Sequence, residues 1–302
     1  MKKENTNMTD IATLDTSNYA AMAKAMGVAY ETNTTKTSML ARLRISHNAI
    51  MGQAEVKGKM VNVEAIPGGM YKLETVDQEP VYAPQVIIRP FVQRFMHKRF
   101  IKGNDKTPNR YVKTIMTDNL NSDMKDNDGG FNCGKPAGWI ADFKALPESM
   151  QALIKQIKRV RAIFGTVELV DAVDGSGNPV DVAPTPFIWE IDNRDAFKSS
   201  GEVFTKLGKM RRLPAQHTFT GTTKEQKLPN GDSFYLPAFQ LDLTKTLDLD
   251  TGSQETLGNF LAWIANYNKY IINEWDAHVV DKESVDGELI EEFVDVDMED
   301  FV

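Results

Sequence analysis

One stretch constrains this chain more than any other: Gln85–Lys113, QVIIRPFVQRFMHKRFIKGNDKTPNRYVK. It sets eight basic residues (Arg89, Arg94, Lys98, Arg99, Lys102, Lys106, Arg110, Lys113) against one acid, Asp105, and interleaves Phe91, Phe95, Phe100 and Tyr111. Branched and aromatic residues in such density favour strands, and the spacing predicts two of them around Lys102-Gly-Asn-Asp105. At the strand period of two, one face carries Arg89, Phe91, Gln93, Phe95, His97 and Arg99. The other is mostly apolar (Val86, Ile88, Val92, Met96), broken by Arg94 and Lys98. Cations beside flat rings on a pleated surface suit a strand of nucleic acid, because cations hold phosphates and rings stack on unpaired bases. A twisted strand with its Phe residues in a core and a solvated Lys/Arg side fits the same letters.

Charge along the chain is lopsided. Residues 276–302 hold eleven Asp/Glu and one Lys, a charge of −10. Since the whole chain carries −7, the other 275 residues carry +3. A mildly basic body with a strongly acidic end is a different object from a uniformly acidic protein. The single cysteine, Cys133, excludes a disulfide framework and a cysteine-built zinc site, and fits a reducing cytoplasm. The opening MKKENTNMTDIATLDT lacks the apolar core of a secretory signal, and no apolar run reaches membrane-spanning length.

Taken in order, residues 1–37 are polar and predict a weakly ordered arm. Strands are expected from Met39 through LARLRISH and at Gly69–Glu74, and residues 117–138 form a long polar loop. A short helix follows over Leu146–Ile157, then a strand over Lys158–Val170 with Arg159 and Arg161 on one face and Val160, Ala162 and Phe164 on the other. Phe187–Ile191 reads as a strand and Arg194–Arg212 as a basic helix. Two strands, Thr218–Gln226 and Ser233–Leu243, flank the hairpin signal Pro229-Asn-Gly231. The strongest helix signal is last: Thr251 and Gln254 fit a capping box. Leu257, Phe260, Leu261, Ile264, Tyr267, Ile271 and Trp275 share an apolar stripe expected to pack on the strands. From Lys282 to Val302 the chain is acidic and predicts a flexible tail.

Motifs for catalysis are scarce. Gly129–Lys135 matches seven positions of a phosphate-binding loop, but the eighth, which must be Ser or Thr, is Pro136, and no apolar strand precedes it. Asp123, Asp126 and Asp128 do not keep calcium-loop spacing, since Met124 would occupy position one and no Glu stands at twelve. The four histidines (His47, His97, His217, His278) are scattered. No cofactor or metal is therefore expected, and no enzyme.

Short strands, few helices and Gly/Asn-rich loops suggest a mainly β protein with helical additions (α+β), built on an OB-fold-like barrel. The ending Glu291-Glu-Phe-Val-Asp-Val-Asp-Met-Glu-Asp-Phe-Val302 resembles the acidic, Phe-containing tails of bacterial and phage single-stranded DNA-binding proteins. The body is similar in order to the T-even phage type over roughly 38–243: a basic-aromatic strand pair, a polar loop, a K-R-x-R strand, an aromatic strand into a basic helix, and a last hairpin. That type holds a structural zinc in its polar loop through cysteines and a histidine, and here only Cys133 remains, so the metal is not carried over. Arg42 and Arg44 echo its short basic N-terminal arm.

The resemblance implies an OB-like core over 38–250, a helix over 251–281 packed on it, and a tail over 282–302. It implies a phage-encoded protein of the host cytoplasm that coats single-stranded DNA in replication, recombination and repair. DNA would be held by Arg89, Phe91, Arg94, Phe95, Lys98, Arg99, Phe100, Lys102, Arg110, Tyr111, Lys113, Arg159, Arg161, Lys209, Arg211 and Arg212. The tail, through Asp297, Glu299, Asp300 and Phe301, would compete for the DNA groove and dock replication and recombination proteins, and copies would self-associate on DNA. Two other readings remain open at this stage: a virion structural or scaffold protein, and a metal-dependent nuclease using Asp118, Asp123 and Asp128.

Overall fold

The structure is a computed structural model that describes residues 40–56, 59–76, 78–104, 107–228 and 230–294. The arm expected over 1–37 lies outside these, as do Asp105, Lys106, Pro229 and the tail residues Asp297, Glu299, Asp300 and Phe301. The chain forms strands β1 (Ala41–Ile45), β2 (Ile50–Val56), β3 (Lys59–Ile66), β4 (Tyr71–Glu74), β5 (Val81–Ala83), β6 (Gln85–Ile101) and β7 (Arg110–Lys113). Helix α1 (Glu148–Gln156) leads directly into β8 (Ile157–Val170). Then come β9 (Thr185–Ile191), α2 (Arg194–Lys209), β10 (Phe219–Lys227), β11 (Ser233–Leu241) and α3 (Thr251–Val294).

The expected mainly β architecture with helical additions is present. A nine-stranded sheet runs β11-β10-β6-β8-β9-β1-β4-β5, with β7 also paired to β6. All its pairs are antiparallel except β1 with β9. The named strands do not close into a barrel, although a bridge from Tyr82 to Val173 draws β5 back to the chain leaving β8. Strands β2 and β3 form a separate two-stranded ribbon that the sequence reading did not anticipate.

The long ladder between β6 and β8 is the spine of the sheet. Its register slips between Pro90 and Val92, leaving Phe91 as an extra residue opposite the Gly165–Phe164 step. Proline has no N–H to give to a ladder, so a bulge is where an interior strand tolerates it. Gly165 is the matching requirement, because a Cβ there would sit 2.4 Å from the Arg89 carbonyl oxygen. The slip exchanges the faces of β6. Before it, Val86 and Ile88 enter a core with Ile163, Trp189 and Phe219, covered by Ala196, Val203, Phe204 and Leu207 of α2. After it, Val92 and Met96 enter the opposite core with Phe164 and Ile188, covered by Phe260 and Ile264 of α3.

Both covering helices have defined ends. Asn193 caps α2, its side-chain oxygen accepting from the N–H groups of Asp195 and Ala196. Asp250, rather than Thr251, caps α3: its carboxylate accepts from the Ser253 N–H at 2.8 Å, and Gln254 donates to the Leu249 carbonyl instead of closing a capping box. An ionised acceptor at a helix N-terminus also meets the helix dipole favourably, which a hydroxyl cannot do. Leu257 and Leu261 of the expected apolar stripe are exposed. Helix α3 continues to Val294, well into the stretch expected to be flexible. Among the described residues no helix is long and apolar enough to cross a membrane.

At the C-terminus of α2, Arg211 N–H donates to the Gly208 carbonyl and Arg212 N–H to that of Leu207, the double closure of a Schellman motif. Arg211 therefore sits at φ 56°, a position that favours glycine. Arg211→Gly should raise stability by about 0.5–1 kcal/mol, the relief of a left-handed non-glycine residue minus glycine's extra chain entropy. Thermal unfolding of the two proteins measures this, and a lower midpoint in the variant would refute it.

Candidate nucleic-acid interface

Because of the bulge, the sixteen expected contact residues do not form one surface. Arg89 and Phe91 lie on the α3 face: Phe91 packs on Phe260, and Arg89 donates to the carbonyls of Ala215 and Asp248. Phe95 lies on the α2 face, against Phe197. The single face expected to carry both Phe91 and Phe95 does not exist, since one extra residue between them reverses the alternation.

On the α2 face, Arg159 and Arg161 share a side as expected, opposite Val160, Ala162 and Phe164. Only Arg159 is exposed. Arg161 is 8% exposed, lies between the rings of Phe95 and Phe197, and donates to the Gln93 side chain and the Phe197 carbonyl. Burial lowers its pKa to about 10, which leaves it charged near neutral pH. Gly201 makes room for it, since a Cβ there would fall 2.4 Å from the guanidinium. Arg161 is thus a packed cation that fastens α2 to the sheet.

Arg99 is half-buried beneath Gly134, and Arg110 is paired with Asp128. Lys102 is exposed beyond the end of β6, and half-buried Arg94 donates to the Gln93 carbonyl. Lys209, Arg211 and Arg212 are at the far end of α2, roughly 20 Å along the axis from Asn193 at 1.5 Å per residue.

Lys98, Phe100, Tyr111 and Lys113 do come together. Strand β7 pairs Tyr111 with Phe100 and Lys113 with Lys98, on the α3 face. The two rings are 45% and 49% exposed with centroids 5.0 Å apart, and the Lys98 ammonium stands 5.0 Å from the Tyr111 centroid. Tyr111, but not Phe100, lines a groove of about 580 Å³ together with Arg42, Arg44, His47, Lys98, Lys113, Glu190, Asp192 and Tyr235, and Asn193, Ala196 and Leu236 close it from the α2 side. Arg42 and Arg44 reach it by alternation in β1, where Ala41 and Leu43 face the core. Four cations meet two carboxylates, and Asp192 is already paired with Lys158. Lys98 is 3.7 Å from Glu190 and Arg44 is 3.3 Å from Glu74; among the described residues neither Arg42 nor Lys113 forms an ion pair. Burial holds the Lys113 ammonium below its ordinary value; Glu190 opposes this, while Lys98, Arg42 and Arg44 add to it. The groove is therefore electropositive, and an anion bound there would relieve mutual repulsion.

Sequence reading passed over Arg42 and Arg44 as contacts, together with His47 and Tyr235. The alternation in β1 showed that the two arginines share a face. What it lacked was the parallel pairing of β1 with β9, which brings that face beside Glu190 and the β6–β7 end.

The polar loop is built around a different charge. Buried Asp126 accepts from the N–H groups of Asp128, Gly130 and Cys133. Backbone amides that a phosphate-binding loop would offer to a ligand are thus taken by a side chain. Helix α3 pins the same loop: Trp275 donates to the Gly130 carbonyl, and the Asn268 amide exchanges two hydrogen bonds with the Met116 backbone. Cys133 is buried, and burial, then Asp126, push its thiol up to about 12, so it is neither a nucleophile nor a ready metal ligand. Asp118, Asp123 and Asp128 make separate local contacts with Asn119, Asn132 and Arg110. Among the described residues no three His, Cys, Asp or Glu are grouped to hold a metal ion.

No family model, curated protein or solved structure matches this chain.

Two measurements check this geometry. Phe95→Ala should cost about 3 kcal/mol of stability, as for a ring removed from packing, whereas Phe100→Ala and Tyr111→Ala should leave stability nearly unchanged. The reverse ranking in chemical denaturation would show the faces to be misassigned. His97, on the α2 face, is 2% exposed with an unpartnered Nδ1; burial, then Lys135 and Arg159, lower its pKa from 6.5 to about 4. It stays neutral in the fold while the unfolded chain takes up a proton. Its contribution is complete above pH 6.5 and is lost as pH falls towards 4. The loss amounts to about 3 kcal/mol. His97→Gln should flatten the acid limb of the stability–pH curve by that amount, and an unchanged limb would contradict the assignment.

Proposed function

We propose that this chain binds single-stranded DNA without strong sequence preference and catalyses no reaction on it. The observation that carries this reading is the groove lined by Arg42, Arg44, Lys98, Lys113 and Tyr111, whose ring pairs with exposed Phe100. Cations at strand spacing suit successive phosphates, and exposed rings offer stacking surface to bases that are not already paired. Duplex DNA keeps its bases stacked on one another and gains nothing from the rings. We read the curl of β8, β9, β1, β4 and β5, brought round by the Tyr82–Val173 bridge, as OB-like.

The charge split supports the rest of the proposal: an acidic end, −10 over residues 276–302 against +3 for the rest of the chain, is suited to compete for the groove and to dock partner proteins. Asp297, Glu299, Asp300 and Phe301 are the residues we assign to docking. The resemblance to phage proteins supports a role in replication, recombination and repair within a host cytoplasm, with partners among the phage replication proteins and further copies of this chain on the DNA.

Fluorescence anisotropy with a labelled oligonucleotide tests the reading. If the four groove cations each meet a phosphate, log K should fall with log[salt] at a slope of about −2.8, from roughly −0.7 per contact. Lys98→Ala with Lys113→Ala should reduce the slope to about −1.4 and weaken binding at low salt. Affinity that ignores salt, or that favours duplex, would overturn the proposal and leave the scaffold reading in its place.

A further inference from the structure

The most exposed large apolar side chain of the described residues is Trp139, at 88%, and it has no place in the groove. An indole left in water at a loop tip costs hydration free energy unless something covers it. Its setting is ordered. The Lys135 ammonium donates to the carbonyls of Pro136 and Gly138, which fixes the turn just before the ring. Gly138 itself has φ 70° and open space where a Cβ would be. The residue before Lys135, Gly134, lies against the Arg99 guanidinium near the end of β6, His97 feels the Lys135 charge and Lys135 that of Arg159, so this turn lies at the α2-face end of β6 and β8.

The surroundings are cationic. Residues 135–159 hold five Lys/Arg against two Asp/Glu, and exposed Arg159 borders a cleft of about 520 Å³ shared with Arg194 and Lys198. A second aromatic of the same segment, Phe143, lies 6.0 Å from the Lys155 ammonium. The cleft also holds Asp195 and Glu202, so its four cations outnumber its carboxylates two to one. An exposed planar ring in a segment of net positive charge complements a ligand that offers both flat faces and negative charge.

We propose that Trp139 is a stacking platform for an unpaired base, and that a strand leaving the groove passes round the end of β6 to reach it. This rests on the single-stranded DNA reading and extends the contact surface beyond the groove. An apolar pocket of a partner protein would also cover an indole, but the local excess of positive charge favours a nucleic acid.

The test uses the full chain with an oligo(dT) of about 20 nucleotides, longer than the ~4–16 that one OB-type module covers. Wild type, Trp139→Phe, Trp139→Ala and the Lys98→Ala/Lys113→Ala variant are compared by affinity, tryptophan fluorescence and thermal unfolding. Trp139→Ala should weaken binding by roughly 5- to 150-fold, the range of one lost base stack, with an unchanged salt slope because the indole carries no charge. Trp139→Phe should retain most of the affinity. DNA should quench the red-shifted emission of the wild type, and that quench should be missing from both Trp139 variants, all with unfolding midpoints unaltered. If Trp139→Ala binds as the wild type does and the quench survives, the platform is refuted; the groove reading stands if the Lys98/Lys113 variant still binds weakly. If the wild type itself fails to bind the oligonucleotide, both proposals fall together.

Discussion

The ladder between β6 and β8, interrupted once at Pro90, is the constraint on which the rest of this structure depends. Every later placement inherits the exchange of faces at that bulge. Without it, Val92 and Met96 would point towards α2 and leave α3 with no core to cover, while Arg99 and His97 would turn into the α3 face. The bulge itself requires two residues with unusual properties opposite each other, a proline without an N–H and a glycine without a side chain. Register in a two-faced sheet is all-or-none, so this local pair decides the environment of every side chain from Phe91 to Ile101.

That division explains why cations of similar appearance in the sequence have different physical roles. Arg161 is buried, stacked and hydrogen-bonded, and its positive charge is held by two rings and two acceptors. Removing it would leave the Gln93 side-chain oxygen without this donor and the rings of Phe95 and Phe197 without the group packed between them, which makes it a fastening for α2. Lys113 is partly buried among Arg42, Arg44 and Lys98, with only Glu190 in opposition. That crowding of like charge costs folding free energy, which an anion in the groove would recover. Repulsion of this kind is why the binding we propose should favour a polyanion and depend on salt.

Rigidity at the site comes from polar groups rather than from the hydrophobic core alone. Asp126 gathers three backbone amides of the long loop, and α3 ties the loop through Trp275 and the chain leading into it through Asn268 and Tyr267. The loop lies behind Tyr111 and Lys113, with Asn127 donating to the Tyr111 carbonyl and accepting from the Lys113 N–H. A groove wall made of a four-residue strand would be weak by itself. Backed by a loop with few unsatisfied groups, it can present two exposed rings at fixed positions.

By itself, the sequence determined the strands and helices whose signals are local. Alternation located β1, β4, β8 and β9, an Asn-Gly turn located the last hairpin, and helical periodicity located α2 and α3. Charge counting alone separated a basic body from an acidic end. It missed β2 and β3, the second of which is exposed along most of its length and so shows little alternation, and it credited Thr251 with a cap that Asp250 makes. Pro90 and Gly165 were both visible, but nothing in either residue says that they face each other, because pairing across 75 positions is a property of the sheet. Only the tertiary structure could therefore place Phe91 and Phe95 on opposite faces, bury Arg161, and bring Arg42 and Arg44 to Lys98 and Lys113. Periodicity reports which side of a strand a residue takes relative to its neighbours. What lies on that side depends on long-range register, and one inserted residue is enough to reverse it.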